Sequence, residues 1–370
     1  MFKFAGIIFG GLLLLLTGCT SVYEGSEAQP PPLEWSATNV VAQPGRPANQ
    51  SVHPVAKPIP APVIRTNLPP QRILPPAPIL TWTSLDRWAK ENKIAAPSKI
   101  PNSPVASYAV TSRRGTMILE IGSREATWNG IVMHFGFAPE IIDDQVFVYG
   151  LDLQKSLEPL LLDEPLAFGT NRVIVLDPGH GGVNVGTHSL VDGRFEKEFT
   201  LDWALRLRAL LATNGWKVFL TRTNDSDIAL SNRVNFAEAR HADLFISLHF
   251  NSAAPDTKQN GLETYCLTPV GMPSTLTRGY SDMWSDRYPN NAYDIENLQL
   301  AVHVHAALLH GSGEEDRGVR RARFMGVLLG QKRPAILIEG GYLSNPHEAE
   351  RIESAEFREK LAEAVANALK

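Results

Sequence analysis

His180, His249 and Glu339 each close a short apolar run, and imidazole and carboxylate are the groups that bind metals and move protons. The runs are Val173-Ile174-Val175-Leu176 ahead of Asp177-Pro178-Gly179-His180-Gly181-Gly182, Leu244-Phe245-Ile246-Ser247-Leu248 ahead of His249, and Ala335-Ile336-Leu337-Ile338 ahead of Glu339. Such runs read as buried strands. If they are parallel neighbours, their carboxyl ends share one rim of a sheet, where open α/β folds place their sites. The chemistry these residue types support is metal-assisted hydrolysis, in which zinc takes three protein ligands from His, Asp or Glu and keeps a position for water. His180 and His249 supply two. Glu196, just ahead of a predicted helix and so at the same rim, is the best candidate for the third, with Glu198 its close rival. A carboxylate after Ala-Ile-Leu-Ile is costly to bury without a partner or a task, so Glu339 reads as a base outside the metal shell.

The elements that must position these groups follow from the alternation of strand and helix patterns over residues 171–370, which predicts an α/β domain with a mostly parallel sheet flanked by helices. Leu201, Ala204, Leu207 and Leu211 form a helical stripe that Asn214-Gly215 ends, and residues 216–221 run as the next strand. Further helices are expected over residues 231–240, 296–310 and 347 to the end, giving four helices around four or five strands. Residues 81–165 read as a small β-rich accessory domain. Met117, Leu119 and Ile121 alternate there, and Asn129-Gly130 and Asp143-Asp144-Gln145 supply turns. In pattern alone this segment resembles the amino-terminal module of copper amine oxidases, and no copper is implied. Residues 19–80 are a Pro-rich disordered tether, with a reach of about 40 to 50 Å if coiled.

The amino terminus and the composition bound the setting. Lys3 precedes an apolar stretch over residues 4–16, shorter than the roughly 20 residues of a spanning helix, and Leu16-Thr17-Gly18-Cys19 follows. Residues 1–18 resemble a bacterial lipoprotein signal peptide, which implies that Cys19 becomes the lipidated first residue of an exported, membrane-anchored protein. Thr20 stands where an Asp often retains lipoproteins in the inner membrane. That favours the periplasmic face of the outer membrane in an organism with two membranes. The only other cysteine, Cys266, reads as a buried small hydrophobe, so a disulfide framework and a Cys-rich zinc site are excluded. A net charge of −4 offers no basic stripe and argues against nucleic acid as a partner.

Six motifs occur in one order: Asp177-Pro178-Gly179-His180-Gly181-Gly182, Glu196-Lys197, Thr221-Arg222, Ala242-Asp243-Leu244-Phe245-Ile246-Ser247-Leu248-His249-Phe250-Asn251, Asp316-Arg317-Gly318-Val319, and Glu339-Gly340-Gly341-Tyr342-Leu343-Ser344-Asn345. Together, over residues 171–370, they resemble the zinc-dependent N-acetylmuramoyl-L-alanine amidases of family 3. The resemblance implies that His180, Glu196 and His249 hold zinc, that Glu339 is the catalytic carboxylate, and that Glu198 is not a ligand. The implied substrate is peptidoglycan, cut at the amide between the lactyl group of N-acetylmuramic acid and L-alanine of the stem peptide. Arg222, Arg233 and Glu263 fall in family-like motifs and read as supporting rim and sheet-closing charges. His188, between two of the implied ligands, has no spacing argument behind it, and His303, His305 and His310 read as surface or core residues.

Some relatives place an autoinhibitory helix, released by an activator protein, in the connection that here covers residues 268–297. Gly271, Pro273, Gly279 and Pro289 interrupt this stretch and no long amphipathic stripe runs through it, so it is expected to shape a substrate groove, and an activator is not predicted. Two other readings are a zinc peptidase acting on the stem peptide and a catalytically silent wall-binding lipoprotein. Retention of His180, Glu196, His249 and Glu339 speaks against the second.

Overall fold

A computed structural model describes residues 80–168 and 171–370, all of which fall in one compact unit, Ile73–Lys370. The signal-like residues, Cys19 and the Pro-rich stretch up to residue 79 lie outside the described residues. Among those described, no helix is long and apolar enough to cross a membrane.

The apolar runs form neighbouring strands. Lys217–Leu220, Val173–Pro178, Leu244–Asn251 and Ala335–Tyr342 lie side by side in that order and all parallel. Leu262–Leu267 then pairs antiparallel with Ala335–Tyr342, and Asp316–Ala322 pairs parallel with Leu262–Leu267. Side-chain alternation explains why such runs are apolar throughout. Ile174, Leu176, Ile246, Leu248, Ile336 and Ile338 face one layer, packed with Phe199, Trp203, Leu207 and Leu211 of the helix Glu196–Thr213 and with the helices Asp294–Ser312 and Ala355–Ala368. Val175, Phe245, Ala335 and Leu337 face the other, against Ala237 of Leu230–Ala239 and Val327 and Leu328 of Gly326–Leu329. Cys266 is buried in the first layer.

The helices and strands outnumber the expected four and five. The terminal helix divides into Pro346–Glu353, whose first N–H groups are capped by the Asn345 side chain, and Ala355–Ala368, because Ser354 is extended. The helix Asp294–Ser312 runs past Gly311 and ends on Gly313 in the left-handed region. Asp316–Ala322 is a sixth strand that its charged residues disguise.

The β-rich segment expected as an accessory domain continues the same sheet. Met133 of Ile131–His134 pairs parallel with Val319, and Asp316 Oδ2 accepts the Val132 N–H at 2.8 Å. From there Glu125–Trp128, Gly115–Glu120, Ser107–Ser112 and Ser98–Lys99 extend the sheet to eleven strands. The edge of Asp316–Ala322 is thereby covered, which removes an exposed row of backbone donors and acceptors. Trp82–Ser84, Gln145–Tyr149 and Glu140–Ile142 make a separate three-stranded sheet.

Candidate active site

Val173–Pro178 delivers its chain into a loop that buried charge holds in place. Asp177, with no exposed surface, accepts from Arg233 Nη1 at 2.8 Å, Thr221 Oγ1 at 2.6 Å and Ser247 Oγ at 2.8 Å. Arg222 donates to the carbonyls of Pro178 at 3.0 Å and Gly179 at 2.8 Å, and Arg233 Nη2 donates to the carbonyl of His180 at 2.8 Å. Three consecutive carbonyls are thus fixed by two buried guanidiniums. That grip keeps His180 at a φ of 61°, in the left-handed region that a non-glycine residue rarely adopts. Arg222 and Arg233 lie beneath the loop, where the sequence reading put them at the rim.

His180, Glu196 and His249 come together at the sheet rim. One ligand atom from each can be chosen so that all lie within 4.8 Å of one another. Glu196 Oε2 is 3.1 Å from His180 Nε2, and Glu196 Oε1 is 2.9 Å from His249 Nδ1. The carboxylate also accepts the N–H groups of Thr187 and Phe250, both at 3.1 Å. Burial alone would raise its pKa, but the hydrogen bonds and charge of the two imidazoles hold it well below the usual carboxylate range. Glu198 has another task. Its Oε1 accepts the Phe195 N–H at 3.1 Å and caps the helix that Glu196 begins.

Glu339 lies on the next strand, opposite His249 on one side and Glu263 on the other. It is 6% exposed, and its Oε2 has no hydrogen-bond partner among the described residues. Burial first, and then the negative charge of Glu196, push its pKa well above the ordinary carboxylate value, while Arg278 opposes them. Glu263 is fully committed by contrast: Arg317 at 2.9 Å, Arg320 at 3.2 Å, Tyr265 Oη at 2.7 Å and Asn251 Nδ2 at 2.9 Å all address its carboxylate.

Several contributors were not singled out in the sequence. Asn184 Oδ1 accepts from His180 Nδ1 at 2.8 Å, leaving Nε2 turned toward Glu196. Gly179 and Gly186 provide room, since a Cβ on the first would strike the His249 ring and one on the second would strike Glu196 and His180. Asn251 lies inside a quoted motif, whereas Arg278 belongs to an irregular connection without a pattern. Of the lesser candidates, His188 is exposed and its backbone bridges Phe195, and His305 is buried between Thr264 and Asp316. Two imidazoles and a carboxylate facing one point, beside a second, buried carboxylate with one oxygen unpartnered among the described residues, can hold a divalent metal and move a proton next to it.

Residues 174–370, more than half of the chain, match the N-acetylmuramoyl-L-alanine amidase family. Among curated proteins, the amidase LytC of Bacillus subtilis is 32% identical over 194 residues, covering 52% of this chain and 34% of that protein. The amidase AmiC of Escherichia coli is 32% identical over 243 residues, covering 59% of this chain and 58% of its own length. The chain thus spans between about a third and two thirds of the first relatives it matches, CwlM of Bacillus licheniformis being covered over 66%. Among solved structures, the amidase AmiC2 of Nostoc punctiforme is 30% identical, with a TM-score of 0.45, over 55% of this chain and 97% of that one.

Proposed function

The chain belongs to the N-acetylmuramoyl-L-alanine amidase family, and on that premise we propose that it is a zinc-dependent peptidoglycan hydrolase. The bond it cuts joins N-acetylmuramic acid to L-alanine of the stem peptide. The observation that carries this reading is the convergence of His180, Glu196 and His249 beside Glu339, a buried carboxylate with an uncommitted oxygen.

The donor set fits zinc, because three ligands of His and carboxylate type are what its hydrolytic sites use. His180, Glu196 and His249 would hold the ion. Zinc in such a site polarises an amide carbonyl and brings the pKa of a water to roughly 7. The rest is the work of the chain. Glu339 takes the proton from the attacking water and hands it to the departing amine nitrogen, and the raised proton affinity of its buried carboxyl suits both transfers. Arg222, Arg233 and Asp177 keep the His180 loop from drifting, and Asn184 fixes which ring nitrogen of His180 faces the centre. Alanine at position 184 is expected to lower zinc affinity about 10- to 100-fold, measurable by competition with a chelator.

The setting is part of the proposal. Cys19 carries lipid, the Pro-rich residues span from membrane to wall, and the periplasmic face of the outer membrane is the location where two membranes exist. The connection over residues 268–297 runs through turns into the short helix Pro289–Tyr293 and the first residues of Asp294–Ser312. The test is muropeptide analysis with purified full chain. Zinc should copurify, chelation should abolish release, and zinc should restore it. The product should be intact glycan plus peptides with a free L-alanine amino group. Peptide cleavage that leaves the lactyl amide intact would make the protein a peptidase, and zinc binding without any release would make it a wall binder.

A further inference from the structure

Arg278 lies on the irregular connection after Leu262–Leu267, exposed and at a left-handed φ of 47°. Its Nη2 donates to Asn251 Oδ1 at 3.0 Å, and its guanidinium lies 5.2 Å from the centre of the Phe324 ring. Asn251 ends the strand that carries His249, so the guanidinium stands at the rim where the candidate ligands converge. Burial of part of the side chain disfavours its charge, and the carboxylate of Glu339 leads the groups that favour it.

The other cations around the site are spoken for. Arg317 and Arg320 are paired with Glu263, and Arg222 and Arg233 spend their donors under the loop. Among the described residues Arg278 makes no ion pair, so most of its five-donor fork is free. It is also held on a braced segment. Arg124 of the N-terminal β-rich segment donates to the carbonyls of Pro273 and Ser274, both at 3.2 Å, and Phe137 packs edge-on against Trp284 at 5.9 Å. A free, positioned guanidinium at the mouth of a site that contains three carboxylates is built to receive an anion.

Resting on the amidase reading, we propose that Arg278 is a specificity-determining residue that binds a carboxylate on the peptide side of the substrate, and that Arg124 is a positioning residue acting through it. The side follows from chemistry. The lactyl carboxyl is consumed in the scissile amide and the N-acetylated sugars are neutral, so the ionised carboxylates of such a substrate lie on its peptide. The N-terminal segment then contributes to recognition as well as to spacing.

The test uses zinc-loaded full chain and two probes, N-acetylmuramoyl-L-alanyl-D-glutamate with both carboxylates free and the same compound with both amidated. Wild type should favour the free acid, and Arg278→Ala should raise KM for it by about 10- to 100-fold, the worth of a charge-assisted hydrogen bond, with a much smaller change for the diamide. Arg278→Lys should recover part of the loss. Arg124→Ala should raise KM in the same direction with kcat unchanged, and Arg124→Lys should restore it. Equal losses on both probes would mean that Arg278 acts through Glu339, and no wild-type preference would mean that it binds no carboxylate; either overturns the proposal. Calorimetry with the product L-alanyl-D-glutamate and its diamide separates this from the amidase reading. Selective binding without cleavage sinks the amidase reading alone, whereas cleavage with equal binding of both peptides sinks the role of Arg278 alone.

Discussion

Replacing Glu339 by glutamine is expected to slow peptidoglycan amide cleavage by about 10² to 10⁴ and, in the same protein, to stabilise the fold. The two effects share a cause. The carboxyl is buried with one oxygen unpartnered, and burial and Glu196 raise its pKa well above 4.5. A carboxyl whose folded pKa is raised binds its proton more tightly folded than unfolded, so stability is fullest below the unfolded pKa and declines as pH rises through the folded one. At pH 8 the wild type therefore carries the cost of an ionised or unsatisfied buried group, of about 1 to 3 kcal/mol, which glutamine largely relieves. The gain should shrink toward zero near pH 4. Urea unfolding of metal-free protein between pH 4 and 8 measures it, and metal-free conditions matter because a bound cation changes the field at position 339. Zinc stoichiometry should match wild type. A glutamine variant that keeps its activity, or that is no more stable than wild type at pH 8, would contradict the role given to this carboxylate.

What could be read from the sequence was what is encoded locally. His180, His249 and Glu339 could be found because each follows a largely apolar strand segment buried on both faces. The choice between Glu196 and Glu198 was not local. Both stand at the start of one helix, so it was the resemblance in motif order that favoured Glu196, and the side-chain contacts give the reason: Glu198 turns back to cap Phe195 while Glu196 turns inward. Asp316–Ala322 escaped notice as a strand because Arg320 and Arg321 serve Glu263 and the N-terminal segment, so its composition reflects partners far away in sequence. The same distance hides the joining of residues 107–134 to the sheet, which depends on pairing Met133 with Val319. Arg278 carries no periodic signal at all, since an irregular connection positions it.

The larger stability effect is expected beneath the His180 loop. Asp177 and Arg233 form an ion pair at 2.8 Å with both side chains almost wholly buried. Alanine at position 177 removes the counter-charge and leaves the guanidinium in place, held by the carbonyls of Ile228, Pro178 and His180. An uncompensated buried charge of this kind destabilises by about 3 to 5 kcal/mol, and Thr221 and Ser247 lose their acceptor as well. Chemical unfolding of Asp177→Ala should show this as a lower midpoint with an unchanged slope. Because Asp177 also orients the Arg233 guanidinium that grips the carbonyl of His180, zinc affinity should fall with stability, which a surface ion pair such as Lys360 with Glu356 would not cause. Pairing Asp177→Leu with Arg233→Met separates charge from packing. The double replacement removes both ions together, so it should recover much of the loss in stability. It should not recover zinc affinity, since no guanidinium then grips the His180 carbonyl. Recovery of both would mean that the pair supports the sheet and does nothing for the loop.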